Sequence, residues 1–136
     1  MVYRIGGRQL VIPLAILLIA DPLAVSELNQ TYYGKVSWFV ADKPALGPPE
    51  TSLYCACRFH YPKLRKLIGG QIKRVLNEDF EVVVGFGKRL IRLQPVDWGP
   101  NRRTSRGIDI SKEAMNMLGC KTDDVVSYYL RPKYED

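Results

Sequence analysis

The sequence predicts a mainly β protein: a small six-stranded barrel with one or two short helices, preceded by an apolar N-terminal arm. Short apolar runs rich in β-branched and aromatic residues recur along the chain, between turns that draw on its 11 glycines and nine prolines. Strictly alternating βα units are missing, which disfavours a doubly wound sheet. A chain of 136 residues fits one domain. We assign the arm to residues 1–29 and the barrel to residues 30–136.

The predicted strands are short runs bounded by loop signals. They cover residues 30–40, 52–60, 81–85, 88–96 and 124–130, with a further short apolar run at 106–111. Residues 41–50 hold three prolines and a glycine, which indicates a loop. Gly85-Phe86-Gly87 lies between two apolar runs and predicts a β-hairpin.

Two stretches have the period of a helix. In residues 62–76, leucines, isoleucines and a valine recur at helical spacing with basic residues between them. Gly69 and Gly70 interrupt this stretch, so it is either one kinked helix or a helix followed by a strand at 71–76. Residues 111–118 predict a second short helix, with Ser111 as its N-cap and Gly119 as its stop.

Residues 10–25 are the most hydrophobic part of the chain, and Arg4 and Arg8 precede them. This layout is typical of a signal peptide, and residues 24–26 would serve as its cleavage site. The segment is short for a membrane span and contains Pro13 and Asp21. Three alternatives stay open: a cleaved signal, a membrane anchor, or an arm that docks on other protein subunits.

The charge and the cysteines narrow the function classes. A net charge of +6 permits an anionic partner such as nucleic acid, a cell-wall polymer or lipid headgroups. The basic residues are spread over loops and helix without a nucleic-acid-binding motif, so we expect no nucleic acid partner. Cys55, Cys57 and Cys120 form neither a disulfide framework nor a zinc spacing. We predict buried thiols and no metal site.

Three segments, taken in order, resemble a known family. Residues 34–39 (GKVSWF), 96–100 (VDWGP) and 107–111 (GIDIS), followed by a short helix, are similar to the rare lipoprotein A-like double-psi β-barrels. The matching region runs from residue 30 to residue 132. The resemblance implies a six-stranded barrel with a groove. It also implies an association with the bacterial cell wall, since members include peptidoglycan lytic transglycosylases and phage proteins that meet the wall.

The resemblance also implies catalytic residues. Asp97 matches the acid/base aspartate of the family, and Glu50 lies roughly where the family has a glutamate. Arg58 stands at the position of the family's histidine, and the only histidine of the chain, His60, follows two residues later. Asp97 has an alternative role as the cap of its own turn. Asp109 is expected to close a loop by hydrogen bonds rather than to take part in chemistry.

Two functions follow from these residues. The first is a non-catalytic barrel that binds peptidoglycan strands, or that serves as a structural component of a larger assembly such as a phage virion or tail. Its predicted binding residues are Trp98, Trp38, Arg58 and Tyr54, and residues 10–25 would contact other subunits. The alternative is a lytic transglycosylase that uses Asp97. Either function places the protein in a virion or in the bacterial envelope or periplasm, and neither requires a cofactor.

Overall fold

Six strands close into a barrel in the computed structural model of the chain. The structure describes residues 2–5, 8–11, 30–59 and 61–133. The strands are β1 (Val2–Ile5), β2 (Arg8–Val11), β3 (Tyr32–Trp38), β4 (Tyr54–Cys57), β5 (Phe80–Phe86), β6 (Arg89–Asp97), β7 (Arg106–Ile110) and β8 (Val125–Pro132). The helices are α1 (Tyr61–Ile68), α2 (Ile72–Asp79) and α3 (Lys112–Leu118), with a 3₁₀ turn at Arg102–Thr104. The predicted fold class, a mainly β six-stranded barrel, is confirmed.

Two chain connections cross each other in the barrel, whose strands neighbour one another in the order β3-β7-β4-β6-β5-β8. The chain leaves β3 and enters β4, on the far side of β7, and it later leaves β6 and enters β7, on the far side of β4. β3 is parallel to β7, and β4 is parallel to β6. Paired crossings of this kind are the double-psi arrangement that the resemblance implied.

The barrel interior is filled by aliphatic side chains that alternate along the strands, as a half-buried sheet requires. Fully buried examples are Val36, Val82, Val84, Leu93, Ile108, Ile110 and Leu130. Leu64 of α1 and Ile72 and Leu76 of α2 extend this core outside the barrel. The three cysteines are free and buried, as predicted.

The stretch at residues 62–76 forms two helices instead of one, so the structure has three short α-helices among its described residues rather than one or two. Helix α1 ends where Gly69 adopts a φ of 98°, a conformation that favours glycine. The alternative of a strand at 71–76 is wrong, because this segment is the first part of α2. Helix α2 packs its apolar face against β5 and β6.

Local signals predicted the other elements well. The β5–β6 hairpin turns at Gly87 and Lys88, with Phe86 paired to Arg89. The Ser111 side chain caps α3 by accepting a hydrogen bond from the backbone N–H of Ala114, and Gly119 ends the helix with a φ of 71°. The strands at 30–40 and 52–60 are shorter than predicted, at Tyr32–Trp38 and Tyr54–Cys57.

The N-terminal arm is described only in part. Strands β1 and β2 form an antiparallel hairpin, which the sequence did not predict, and the hairpin lies near α2 and β8. Most of the apolar segment at 10–25 lies outside the described residues, so its alternatives and the domain boundary at residue 30 stay predictions. Within the described part of the chain, no helix has the length and apolar character needed to cross a membrane.

Candidate functional site

A groove of about 450 Å³ opens at one end of the barrel. The described residues that line it are Arg58, Phe59, Lys73, Trp98 and Arg102, and we call it the Trp98 groove. Trp98 is half-buried and packs against the core, and Phe59 is largely buried, so the groove has an apolar floor. Lys73 and Arg102 are exposed, which places positive charge at its rim. The groove is therefore concave, aromatic and basic.

The parallel pairing of β4 and β6 brings these residues together. Because parallel strands end at the same edge of a sheet, Arg58 and Phe59, which follow β4, lie beside Trp98, which follows β6. Lys73 comes from the first turn of α2, and Arg102 from the 3₁₀ turn on the crossing β6–β7 connection. The site thus depends on the crossed topology and on the inserted helices.

Two carboxylates lie next to this groove in one row across four strands. The strand register pairs Asp97 of β6 with Ala56 of β4, Ala56 with Asp109 of β7, and Asp109 with Ser37 of β3. Neighbouring strands are about 4.8 Å apart, so the backbones of Asp97 and Asp109 are separated by about 10 Å. In this strand register, Ala56 is the residue that lies between the two aspartates.

Asp97 caps the turn that it begins. Its Oδ1 accepts a hydrogen bond of 2.8 Å from the backbone N–H of Trp98, and its side chain is half-buried. The turn-capping role that the sequence offered as the alternative to catalysis is therefore present. This bond holds the carboxylate beside the groove, but it also occupies one of its two oxygens.

Asp109 is the carboxylate whose surroundings alter its ionisation. Burial raises the pKa of Asp109, and three favourable contacts oppose this effect without cancelling it: a hydrogen bond donated by Ser37 and the nearby charges of Arg106 and Arg58. The bond from Ser37 joins β3 to β7, as expected for a residue that closes a loop. Arg58 is held in place because its Nη2 donates a 3.2 Å hydrogen bond to the carbonyl of Arg106.

The predicted catalytic set is not assembled among the described residues. Glu50 is exposed, and its backbone N–H donates a 2.7 Å hydrogen bond to Oε1 of Gln94, three residues before Asp97 on β6. That spacing is about 10 Å along a strand. Glu50 is not among the described residues that line the Trp98 groove. His60 lies outside the described residues, so its role stays a prediction.

The predicted binding residues belong to two different ends of the barrel. Trp98 and Arg58 share the groove, whereas Trp38 ends β3 beside Ile110, the last residue of β7. Tyr54 begins β4, and its ring lies edge-on to Phe39, with 5.3 Å between the ring centres. Because β4 runs antiparallel to β7, the start of β4 lies at the Trp38 end. Trp38 and Tyr54 therefore do not join the Trp98 groove.

Trp38 has its own surroundings at that opposite end. Its side chain is 49% exposed, and the ammonium group of Lys112 lies 5.6 Å from the centre of its ring. The hydroxyl of Tyr54 accepts a hydrogen bond of 3.2 Å from the backbone N–H of Ala41. These contacts make Trp38 an accessible aromatic residue outside the groove, and therefore a matched control for Trp98.

Sequence reasoning missed three groove residues: Phe59, Lys73 and Arg102. Phe59 lay within a predicted strand with nothing to mark it as a ligand contact, and the two cations lay among many basic residues of helix and loop. The parallel pairing of β4 and β6 places Phe59 in the groove, and the positions of α2 and the 3₁₀ turn place Lys73 and Arg102 there. A single sequence does not reveal this arrangement. In the part of the chain that the structure describes, no group of three or more His, Cys, Asp or Glu side chains is placed to hold a metal ion.

The topology and the groove define this chain as a small double-psi-type β-barrel. Among solved structures it is similar to the Streptomyces papain inhibitor, with a TM-score of 0.53 and 17% sequence identity over 76% of this chain and 96% of that one. A scan against protein-family models and a search of curated proteins found no match. At this identity the structural likeness shows the fold alone, so the barrel fold is similar to that of a protease inhibitor. Membership of the rare lipoprotein A-like family is not confirmed.

Proposed function

We propose that this chain is a glycan-binding barrel that associates with bacterial peptidoglycan through the Trp98 groove, without cleaving the glycan. The Trp98 groove itself carries this proposal. Ligand sites are typically concave and largely apolar, with a few polar groups that fix orientation. Trp98 and Phe59 offer aromatic surface for the apolar faces of sugar rings, and Arg58 offers hydrogen-bond donors for their oxygens.

Two contacts favour binding over bond cleavage. One oxygen of Asp97 accepts the backbone N–H of Trp98, and Glu50 belongs to a loop held against Gln94 rather than to the groove lining. In addition, Arg58 stands at the position that the family resemblance assigns to a histidine. An arginine stays protonated near neutral pH, so it binds and orients but does not act as a general base.

The site of action that fits this proposal is a virion or the bacterial envelope or periplasm, where peptidoglycan is accessible. We further propose that residues 10–25 attach the barrel to other protein subunits of a larger assembly, such as a phage virion or tail. A chain that lacks residues 1–25 is then expected to keep glycan binding and to lose its partners. Co-purification with virion or envelope proteins, compared with the full chain, measures this difference.

The direct experiment is co-sedimentation of the purified protein with peptidoglycan sacculi. We expect the wild-type chain and Trp38→Ala to pellet, and Trp98→Ala to stay in the supernatant. Trp38 is the matched control because it is an accessible tryptophan at the other end of the barrel. Equal binding by both variants would contradict the proposed groove.

A lytic transglycosylase is the second candidate. Asp97 borders the groove, and Asp109, two strands away from Asp97 in the same row, has a pKa that burial raises. General acid catalysis needs a carboxyl group that holds its proton near the working pH. Incubating glycan with the protein and analysing it for anhydro-sugar products distinguishes the two candidates. A protein that only binds gives no such products, whereas an enzyme gives products that are lost in the Asp97→Asn variant. A papain assay on the same sample tests protease inhibition, the property in the name of the structurally similar protein.

A further inference from the structure

We infer that the Trp98 groove recognises an anion carried on a sugar, so that its ligand is a charged wall glycan rather than a neutral one. This inference rests on the proposed glycan-binding function and adds the chemical class of the ligand. Three of the five described lining residues are cations: Arg58, Lys73 and Arg102. They come from three separate elements, so their convergence on one groove is a product of the fold rather than of a local run of charge.

Two of these cations make no ion pair within the described part of the chain, unlike their neighbours. Arg74, next to Lys73 on α2, pairs with Glu78 at 3.0 Å, and Arg106 pairs with Asp123 at 2.9 Å. Among the described residues, no ion pair joins Lys73 or Arg102 to an acidic side chain. The groove rim therefore keeps two positive charges that an incoming anion can neutralise.

The carboxylates beside the groove do not remove this attraction. Asp109 acts electrostatically on Arg58 and offsets part of its charge, and the Asp97 carboxylate accepts the backbone N–H of Trp98. Neither aspartate is among the described residues that line the groove. Arg58, half-buried and held by the Arg106 carbonyl, is positioned as the fixed donor, while the exposed Lys73 and Arg102 supply the unpaired charge.

The aromatic floor decides what carries the anion. A bare phosphate or carboxylate would leave Trp98 and Phe59 unused, whereas an anionic sugar places an apolar ring face on the floor and its charge at the rim. Two wall components have this chemistry: phosphodiester-linked wall polymers and the carboxylates of the peptidoglycan itself. The shared feature is a negative group that is covalently attached close to a sugar ring.

The test uses three wall preparations with the full chain. The first keeps its phosphate polymers, the second is stripped of them with hydrofluoric acid, and the third has its carboxylates amidated. We expect the wild-type affinity to fall about tenfold or more on one of the modified walls, which identifies the source of the anion. On the unmodified wall, Lys73→Gln and Arg102→Gln are each expected to weaken binding about two- to fivefold, as for exposed charge pairs.

Matched control variants distinguish a loss of binding caused by the groove from one caused by a lower net charge. Lys88→Gln and Arg92→Gln remove the same charge at exposed positions outside the groove, so both are expected to bind like the wild type. On the wall that has lost the relevant anion, the Lys73 and Arg102 variants should bind as strongly as the wild type, because the charge interaction that each substitution removes is then already absent. Raised salt should also weaken wild-type binding, because it screens the attraction between the groove cations and the anion.

Other outcomes overturn the inference. Binding that neither wall modification changes, or controls that weaken as much as the groove variants, would refute an anion site while leaving glycan binding intact. A single-stranded oligonucleotide that competes as strongly as the wall polymer would show a general polyanion site and would also refute it. If the wild-type chain pellets with none of the three walls, the proposed function fails and the inference fails with it.

Discussion

Ser111 fastens the end of β7, the start of α3 and the loop before β4 with a single side chain. Its hydroxyl donates a 2.6 Å hydrogen bond to the carbonyl of Ser52, and it accepts bonds from the backbone N–H groups of Ala114 at 3.3 Å and Tyr54 at 3.4 Å. Only 2% of the residue is exposed. Replacing Ser111 with alanine removes all three bonds without adding bulk.

The loss in the free energy of unfolding can be worked out from these three hydrogen bonds. Loss of an N-cap costs about 1 kcal/mol. Loss of the short bond to Ser52 costs about 1 kcal/mol more. This cost is moderate because Ser52 is exposed, so water can partly replace the lost hydroxyl. The long bond from Tyr54 adds about 0.5 kcal/mol. The free energy of unfolding should therefore fall by about 2–3 kcal/mol, which lowers the melting temperature by roughly 6–15 °C for a domain of this size.

Urea unfolding followed by circular dichroism measures this change, with the slope against urea showing whether the unfolded reference has changed. Ser127→Ala is the control, because its half-buried hydroxyl makes one long bond of 3.5 Å to the carbonyl of Gly85. We expect that variant to lose less than about 0.5 kcal/mol. If Ser111→Ala loses less than about 1 kcal/mol at an unchanged slope, Ser111 does not join these segments as described.

Three further predictions concern Asp109, Gly107 and Cys57. Burial raises the pKa of Asp109 in the folded state. Its contribution to stability is therefore present below the unfolded pKa and is lost as the pH rises through the folded pKa. The Asp109→Asn variant should not show this loss in thermal melts from pH 3 to 7. A Cβ at Gly107 would lie 2.5 Å from the hydroxyl of Tyr128, so Gly107→Ala should cost about 1–3 kcal/mol, and adding Tyr128→Phe should recover part of it in a double-mutant cycle. Burial also raises the pKa of Cys57 well above its ordinary value, so alkylation detected by mass spectrometry should require unfolding, and fast labelling of the native chain would contradict this.

Local chemistry made much of the fold predictable from the sequence. The Ser111 cap, the Gly119 stop and the β5–β6 turn each depend on residues that are close in the chain, so their signals can be read directly. The glycine pair at 69 and 70 indicated a break in the helical stretch, but not its outcome. Helix α2 continues beyond the break because Ile72, Val75 and Leu76 bury one helical face against the barrel.

The candidate site was harder to predict because strand pairing is non-local. Trp38 and Trp98 have similar sequence settings, each at the end of an apolar strand, yet the crossed connections place them at opposite ends of the barrel. The crossing β6–β7 connection brings Arg102 to Trp98 from four residues after it, and helix α2, on the β4–β5 connection, brings Lys73 from 25 residues before it. Glu50 matched the family by its place in the chain, but a backbone bond to Gln94 sets the position of its loop.

The chain has two tryptophans, and their indole N–H signals in a nitrogen-15 NMR spectrum report on the two ends of the barrel separately. Soluble glycan fragments released from peptidoglycan serve as the ligand, and Trp98→Phe assigns the two signals. On titration, the Trp98 signal should shift progressively while the Trp38 signal stays in place. A shift of the Trp38 signal alone, or of neither signal at saturating glycan, would contradict glycan binding in the Trp98 groove.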